Sequence, residues 1–193
     1  MQLVLLCSFS LSIASLVWAR FCVFRIGSKR EQLAAYIYDP IAVIHIFFSF
    51  YNFAISSDIP DFLEVSSLLL LMLGAILFTS SLLTTRTLQF ASSGKNSAII
   101  KSGSFHIVRH PFYVSYSCTW LATSILFNSL ILWITLSSLL AFYAFSAKRE
   151  EEAILRSNYS REYENYKSEV GMFFPRYTQW KHWTLRLLLK KNK

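Results

Sequence analysis

Apolar and polar positions divide the chain into five long apolar segments joined by short polar ones. The first runs from about Leu3 to Ala19, the second from Leu33 to Ile55, and the third from Phe62 to Leu83. A fourth, Phe112 to Phe127, and a fifth, Leu130 to Ala147, are parted only by Asn128-Ser129. A helix needs about 20 apolar residues to cross a bilayer, within a range of about 17 to 25, so the fourth lies at the short limit. Such a pattern predicts an all-α integral membrane protein of about five helices, because a helix satisfies its own backbone polar groups where water is absent. The two-residue break predicts a tight antiparallel hairpin of the fourth and fifth helices.

The first segment has one feature of a secretory signal, since Val17-Trp18-Ala19 resembles a cleavage site. It lacks the basic residues that precede the apolar run of a signal, so it is expected to stay as a span.

Charge placement then predicts orientation. Of the 19 lysines and arginines, Arg20, Arg25, Lys29 and Arg30 lie between the first two spans. Arg86, Lys95, Lys101 and Arg109 lie between the third and fourth, and the other eleven follow the fifth. The loops Ser56–Asp61 and Asn128-Ser129 hold none, and the former carries Asp58 and Asp61. The positive-inside rule therefore predicts an outside N-terminus, a cytosolic C-terminus and five spans.

Composition agrees, with 54% hydrophobic and 16% charged residues, where soluble domains carry about a quarter charged. The net charge of +8 is accounted for by topology, which disfavours nucleic acid as a partner. Cys7, Cys22 and Cys118 have neither metal-knuckle nor redox spacing, and no metal site is expected. From Phe173 to Lys191 aromatic residues (Phe174, Tyr177, Trp180, Trp183) mix with Arg176, Lys181, Arg186 and Lys190. That mixture suits a segment lying at the headgroup level. Asn158-Tyr159-Ser160 matches a glycosylation sequon but falls on the cytosolic side, where it is idle.

Two polar clusters carry the candidate chemistry. Arg109-His110-Pro111-Phe112-Tyr113 opens the fourth span. Pro111 suits the first helical position, and the free amides of that turn, with Arg109 and His110 before them, suit an anion. Where the fifth span ends stands Lys148-Arg149-Glu150-Glu151-Glu152. Its plain reading is a solvated helical extension, with Glu152 reaching Arg156 at i,i+4. Its functional reading is an anionic site for a cationic group. From Pro111 to Phe127 a helix rises roughly 25 Å and the return from Ser129 to Ala147 roughly 28 Å, so both clusters are expected on one face. One cluster suits a carboxylate and the other an ammonium, which together suit the zwitterionic amino-acid end of a cationic methyl donor. A third candidate is Asp39 beside Pro40, a charge within the second span and so a candidate for substrate contact, with a hydrated structural role as the alternative.

Arg109-His110-Pro111-Phe112-Tyr113 after Gly103, the hairpin, Glu151-Glu152-Ala153-Ile154-Leu155, and then Tyr159 to Lys167 with Phe174-Pro175 resemble the isoprenylcysteine carboxyl methyltransferase and phospholipid methyltransferase group. The resemblance covers about Ile99 to Pro175. It implies S-adenosylmethionine as cofactor, with Arg109, His110, Pro111, Tyr113, Glu151 and Glu152 contributing to its pocket. It also implies methyl transfer to a lipid or lipidated acceptor reached from the bilayer. His110, Arg109 and Glu151 are the catalytic candidates, with Arg149 and Asp39 as candidates for substrate contact. On this reading residues 1–193 form a single membrane domain whose segment 148–193 completes the cofactor site.

Two positions depart from the family pattern. Ser115 stands where a glycine is usual, and Ala147 stands where an arginine is frequent, with Lys148 and Arg149 beside it. They keep open a non-catalytic scaffold or carrier of the same fold. An NADPH-dependent sterol-type reductase is the other alternative, set against the repulsion of cofactor phosphates by Glu150 to Glu152.

Overall fold

The computed structural model describes residues 1–22, 29–87 and 99–176, without the side chains of 29–34 and 86–87. Arg25, Lys95, the side chains of Lys29, Arg30 and Arg86, and the aromatic and basic tail from Tyr177 onward lie outside the described residues. The elements are α1 (Gln2–Cys22), α2 (Lys29–Ile55), α3 (Asp61–Thr87), a 3-10 turn (Gly103–His106), α4 (Pro111–Phe127), α5 (Leu130–Leu155) and α6 (Ser160–Glu169). Among the described residues, four stretches are long and apolar enough to cross a membrane: Gln2–Cys22, Ala35–Ile55, Asp61–Thr85 and Leu130–Leu155. The fourth apolar segment forms α4, which at 17 residues is the shortest of the apolar helices.

Local chemistry explains the ends. Pro111 opens α4, where a missing N–H costs nothing. Asn128 closes it with φ at 46°, the left-handed conformation that asparagine tolerates at a helix end. Asp61 and Glu64 sit in the first turn of α3, against the positive end of its dipole. The apolar part of α5 ends at Ala147, and the helix continues as a charged extension through Glu150, Glu151 and Glu152.

The chain divides into two compact units. The first comprises Met1–Phe78 and Val114–Ser146. On α1 the buried residues Leu5, Phe9 and Ile13 recur every fourth position, and Phe9 packs on Phe50 and Phe53 of α2 at centroid distances of 5.4 and 6.0 Å. Leu3, Val4, Leu11, Phe47, Leu69 and Ile134 stay exposed, as side chains facing lipid tails would.

Polar groups of this unit are tied internally, because an unpaired one in hydrocarbon is costly. The hydroxyls of Ser10, Ser12, Ser49 and Ser66 donate to carbonyls one turn back. His45, fully buried on α2, bonds Thr135 of α5 at 2.7 Å and Thr123 of α4 at 3.0 Å. Trp120 Nε1 donates to the Tyr143 hydroxyl at 2.8 Å, and that hydroxyl also meets Tyr38 at 3.0 Å. Ser115 is buried on α4 beside Gly74, where an added Cβ would come within 3.1 Å of the Ser115 carbonyl. Gly74 thus lets α3 pass close to the α4 backbone at this point.

The second unit comprises Thr79–Tyr113 and Ala147–Lys193, and carries the polar clusters. Its apolar centre is Tyr163, Tyr166 and Val170, packed with Ile99, Ile154 and Leu155.

His45 offers a direct check on the first unit. His45→Ala should lower the unfolding free energy by about 1–3 kcal/mol, from lost interhelical hydrogen bonds and the cavity left behind. Phe47→Ala, on the exposed face, should change it little when both are measured by SDS titration from mixed micelles.

Candidate functional site

The site is assembled from three pieces of the second unit: the segment before α4, the charged end of α5, and α6 with the residues after it. Gly103 makes the first piece possible. Its φ of +59° is left-handed, and an added Cβ would lie 2.3 Å from the Thr84 hydroxyl oxygen. Ser104, next along, is buried and shares a 2.8 Å hydrogen bond with Ser81.

The chain then runs beside the segment after α6. Val108 and Gly171 form a parallel bridge, Arg109 N–H donates to the Gly171 carbonyl at 2.8 Å, and His110 N–H donates to the Met172 carbonyl at 3.2 Å. Gly171 is required sterically, since a Cβ there would fall 1.8 Å from the Phe174 carbonyl oxygen. Tyr166 of α6 donates its hydroxyl to the Phe105 carbonyl, and Lys101 pairs with Glu162 at 2.7 Å.

At the centre lies the Arg109 guanidinium, buried together with Glu151. Its Nε and Nη2 reach Glu151 Oε1 at 2.9 and 2.8 Å. Its Nη1 donates to the Lys167 carbonyl at 3.3 Å and to the Val170 carbonyl. His110 Nε2 is 3.2 Å from the same Glu151 oxygen, and Lys167 Nζ is 3.4 Å from the other. His110 Nδ1 faces Glu150 Oε2 at 3.5 Å, while the Tyr113 hydroxyl donates to Glu150 Oε1. The His110 ring lies nearly parallel to Tyr113, 5.7 Å away, and 6.0 Å from Phe173.

These contacts set the charges. Burial would push the Glu151 carboxyl up, but hydrogen bonds from His110 and Arg109, with their positive charge, hold it down at about 2. Burial would lower His110, yet Glu150 and Glu151 outweigh it and raise the imidazole above its ordinary value. Burial and the Glu151 charge push Tyr163 up. The cluster is therefore a buried carboxylate between an arginine and a histidine that favours its proton.

The structure brings Arg109, His110, Pro111 and Tyr113 to the end of α5 holding Glu150 and Glu151. It does not bring Glu152 with them: that side chain is well exposed and pairs with Arg156 at 3.6 Å. Arg149 is exposed on the same helix. Asp39 belongs to the first unit, where it pairs with Arg20 at 3.3 Å. Ala147 is fully buried, so a long arginine side chain has no room at that position without repacking.

Sequence reasoning placed Glu150 in the acidic run without naming it a site residue, and missed Tyr163, Lys167 and Phe173 as parts of this cluster. Only Tyr163 had a readable signal, since Tyr163, Tyr166 and Val170 have the i, i+3, i+7 spacing of a buried helical face.

The family model for phospholipid methyltransferase matches residues 63–162, from the start of α3 into α6. The chain belongs to the phospholipid methyltransferase family. No curated protein and no solved structure matches it. The matched region contains Arg109 to Tyr113 and Glu150 to Glu152. With its apolar helices, family membership implies a membrane methyltransferase acting on a lipid-type substrate.

Two outcomes follow for the cluster. Arg109→Ala leaves Glu151 buried without its main partner and should destabilise the protein by about 3–5 kcal/mol, read from chemical unfolding in detergent. The pH dependence has two limbs. Glu151, held low, contributes stability that is complete above its ordinary value of 4.5 and lost as pH falls toward about 2. His110, held high, contributes stability that is complete below 6.5 and lost as pH rises through its raised value. Thermal stability should thus be flat between those two pH values with respect to this pair and fall on the alkaline side. His110→Gln should remove the alkaline fall, which melting curves across pH will show.

Proposed function

We propose that this protein transfers the methyl group of S-adenosylmethionine to a membrane-borne acceptor, either an isoprenylcysteine-like carboxylate or a lipid headgroup. The observation that carries the proposal is the buried Arg109–Glu151–His110 cluster, built at the start of α4 inside the segment matched by the family. The donor set fits the cofactor's amino-acid end: carboxylates for its ammonium, and Lys167 and the start of α4 for its carboxylate. Of the residues implied by the family, Arg109, Pro111 and Glu151 build the wall of the site, and His110 and Tyr113 hold Glu150 and offer ring faces to the ligand. Glu152, exposed beside Arg156, lies at its margin.

Bound S-adenosylmethionine supplies a methyl group activated on sulfonium. The chain's contribution is to orient the two reactants and exclude water. A carboxylate acceptor is already nucleophilic, whereas an amine has to lose a proton first. Glu151, held ionised by Arg109 and His110, is a weak base, and His110, raised by two carboxylates, tends to keep its proton. This supports positioning, rather than proton removal by either residue, as the source of catalysis.

The distribution of lysine and arginine supports five spans including α4, an outside N-terminus and a cytosolic site. A nicotinamide reductase has no comparable support, since Glu150 stands half-exposed where cofactor phosphates would approach.

The test is calorimetric titration of detergent-purified protein with S-adenosylhomocysteine. Binding in the roughly micromolar range is expected, weakened about tenfold or more in His110→Ala. No binding by folded parent protein overturns the reading. Labelled methyl transfer to extracted membrane lipids or to farnesylcysteine then separates the two acceptor classes.

A further inference from the structure

Glu150, Glu151 and Glu152 follow one another on α5, and each points about 100° around the helix from the last. Their surroundings differ accordingly. Glu151 is a closed group: its side chain is 4% exposed, with Arg109 and His110 on one oxygen and Lys167 on the other. Glu152 is 62% exposed and faces Arg156. Glu150 is 53% exposed and also touches the His110–Tyr113 pair. It combines access with orientation.

We infer that Glu150, which the family motif does not single out, is the carboxylate that receives the ammonium of the cofactor's amino-acid end, while Glu151 serves to position His110. The inference rests on the methyltransferase reading. A carboxylate offers about four lone-pair sites. Tyr113 occupies one and His110 faces another, leaving acceptor capacity on the half-exposed side. Those same two contacts hold the carboxylate in place, and the near-parallel stacking of His110 on Tyr113 fixes both neighbours. A pre-oriented carboxylate loses little freedom when it takes up an ammonium. Glu151 is closed to a ligand instead: its side chain is 4% exposed and its second oxygen faces Lys167 Nζ at 3.4 Å, so an ammonium would reach it only by displacing that lysine from a buried carboxylate.

The experiment compares two probes. S-adenosylhomocysteine carries the ammonium, and 5′-methylthioadenosine lacks the entire amino-acid end while keeping the nucleoside. Both are titrated into parent protein and Glu150→Gln, a variant that keeps an acceptor for Tyr113 and removes the charge. Glu150→Gln should bind S-adenosylhomocysteine at least about tenfold more weakly, the cost of a lost charge-assisted hydrogen bond. It should bind 5′-methylthioadenosine as the parent does, which also shows that the variant is folded. Unchanged affinity for S-adenosylhomocysteine overturns the assignment and leaves the methyltransferase reading standing. Equal weakening toward both probes overturns it as well, because it reports a general structural role. A parent that binds neither probe overturns the methyltransferase reading itself, and this assignment with it.

Discussion

A guanidinium taken out of water has to find partners for its donors, and the second unit is organised around that requirement at Arg109. The group has five N–H donors in a rigid planar fork. Glu151 of α5 receives two of them, and the carbonyls of Lys167 and Val170 at the end of α6 receive two more. One side chain thereby joins three segments that are far apart in the chain. The backbone of Arg109 extends the same tie through its N–H to Gly171. Removing any one partner leaves a buried charge or carbonyl unsatisfied, so the pieces stand or fall together.

This explains why a chain with so few charged residues spends several in one place. Arginine and glutamate here do not chiefly stabilise by their mutual attraction, since desolvation offsets much of it. They impose a single arrangement, one in which His110 is pressed between two carboxylates and against Tyr113. A histidine so placed has its ring orientation and its protonation decided by its neighbours. That is a suitable property for a group meant to present a defined ring face to a ligand. The first unit solves a different problem with neutral groups: His45, Thr123, Thr135, Trp120 and Tyr143 satisfy one another so that none is left open toward hydrocarbon.

Much of this protein was legible in the order of its residues. Apolar runs of the right length specify helices because hydrocarbon permits little else, and the turn at Asn128-Ser129 makes α4 and α5 antiparallel neighbours. The coming together of Arg109 and His110 with the end of α5 follows from two helices of similar rise leaving one short turn. The motif from Arg109 to Tyr113 and the acidic run were likewise sufficient to suggest the methyltransferase family, to which the chain belongs.

What the linear order left undecided was direction and occupancy. Three adjacent glutamates look alike in sequence, but the turn of the helix sends Glu151 inward, Glu152 toward Arg156, and Glu150 to the half-exposed face beside Tyr113. Arg109 and Glu151 read as two open half-sites of opposite charge, and the folded chain closes them on each other. The carbonyls that complete Arg109 belong to Lys167 and Val170, 58 and 61 residues away by sequence. No local pattern marks them, because every residue has a carbonyl and only packing determines which ones lack another partner. The amino-acid order thus settled the helices, their membrane setting and the family. The tertiary structure decided which charges are consumed in holding the site together and which remain for a ligand.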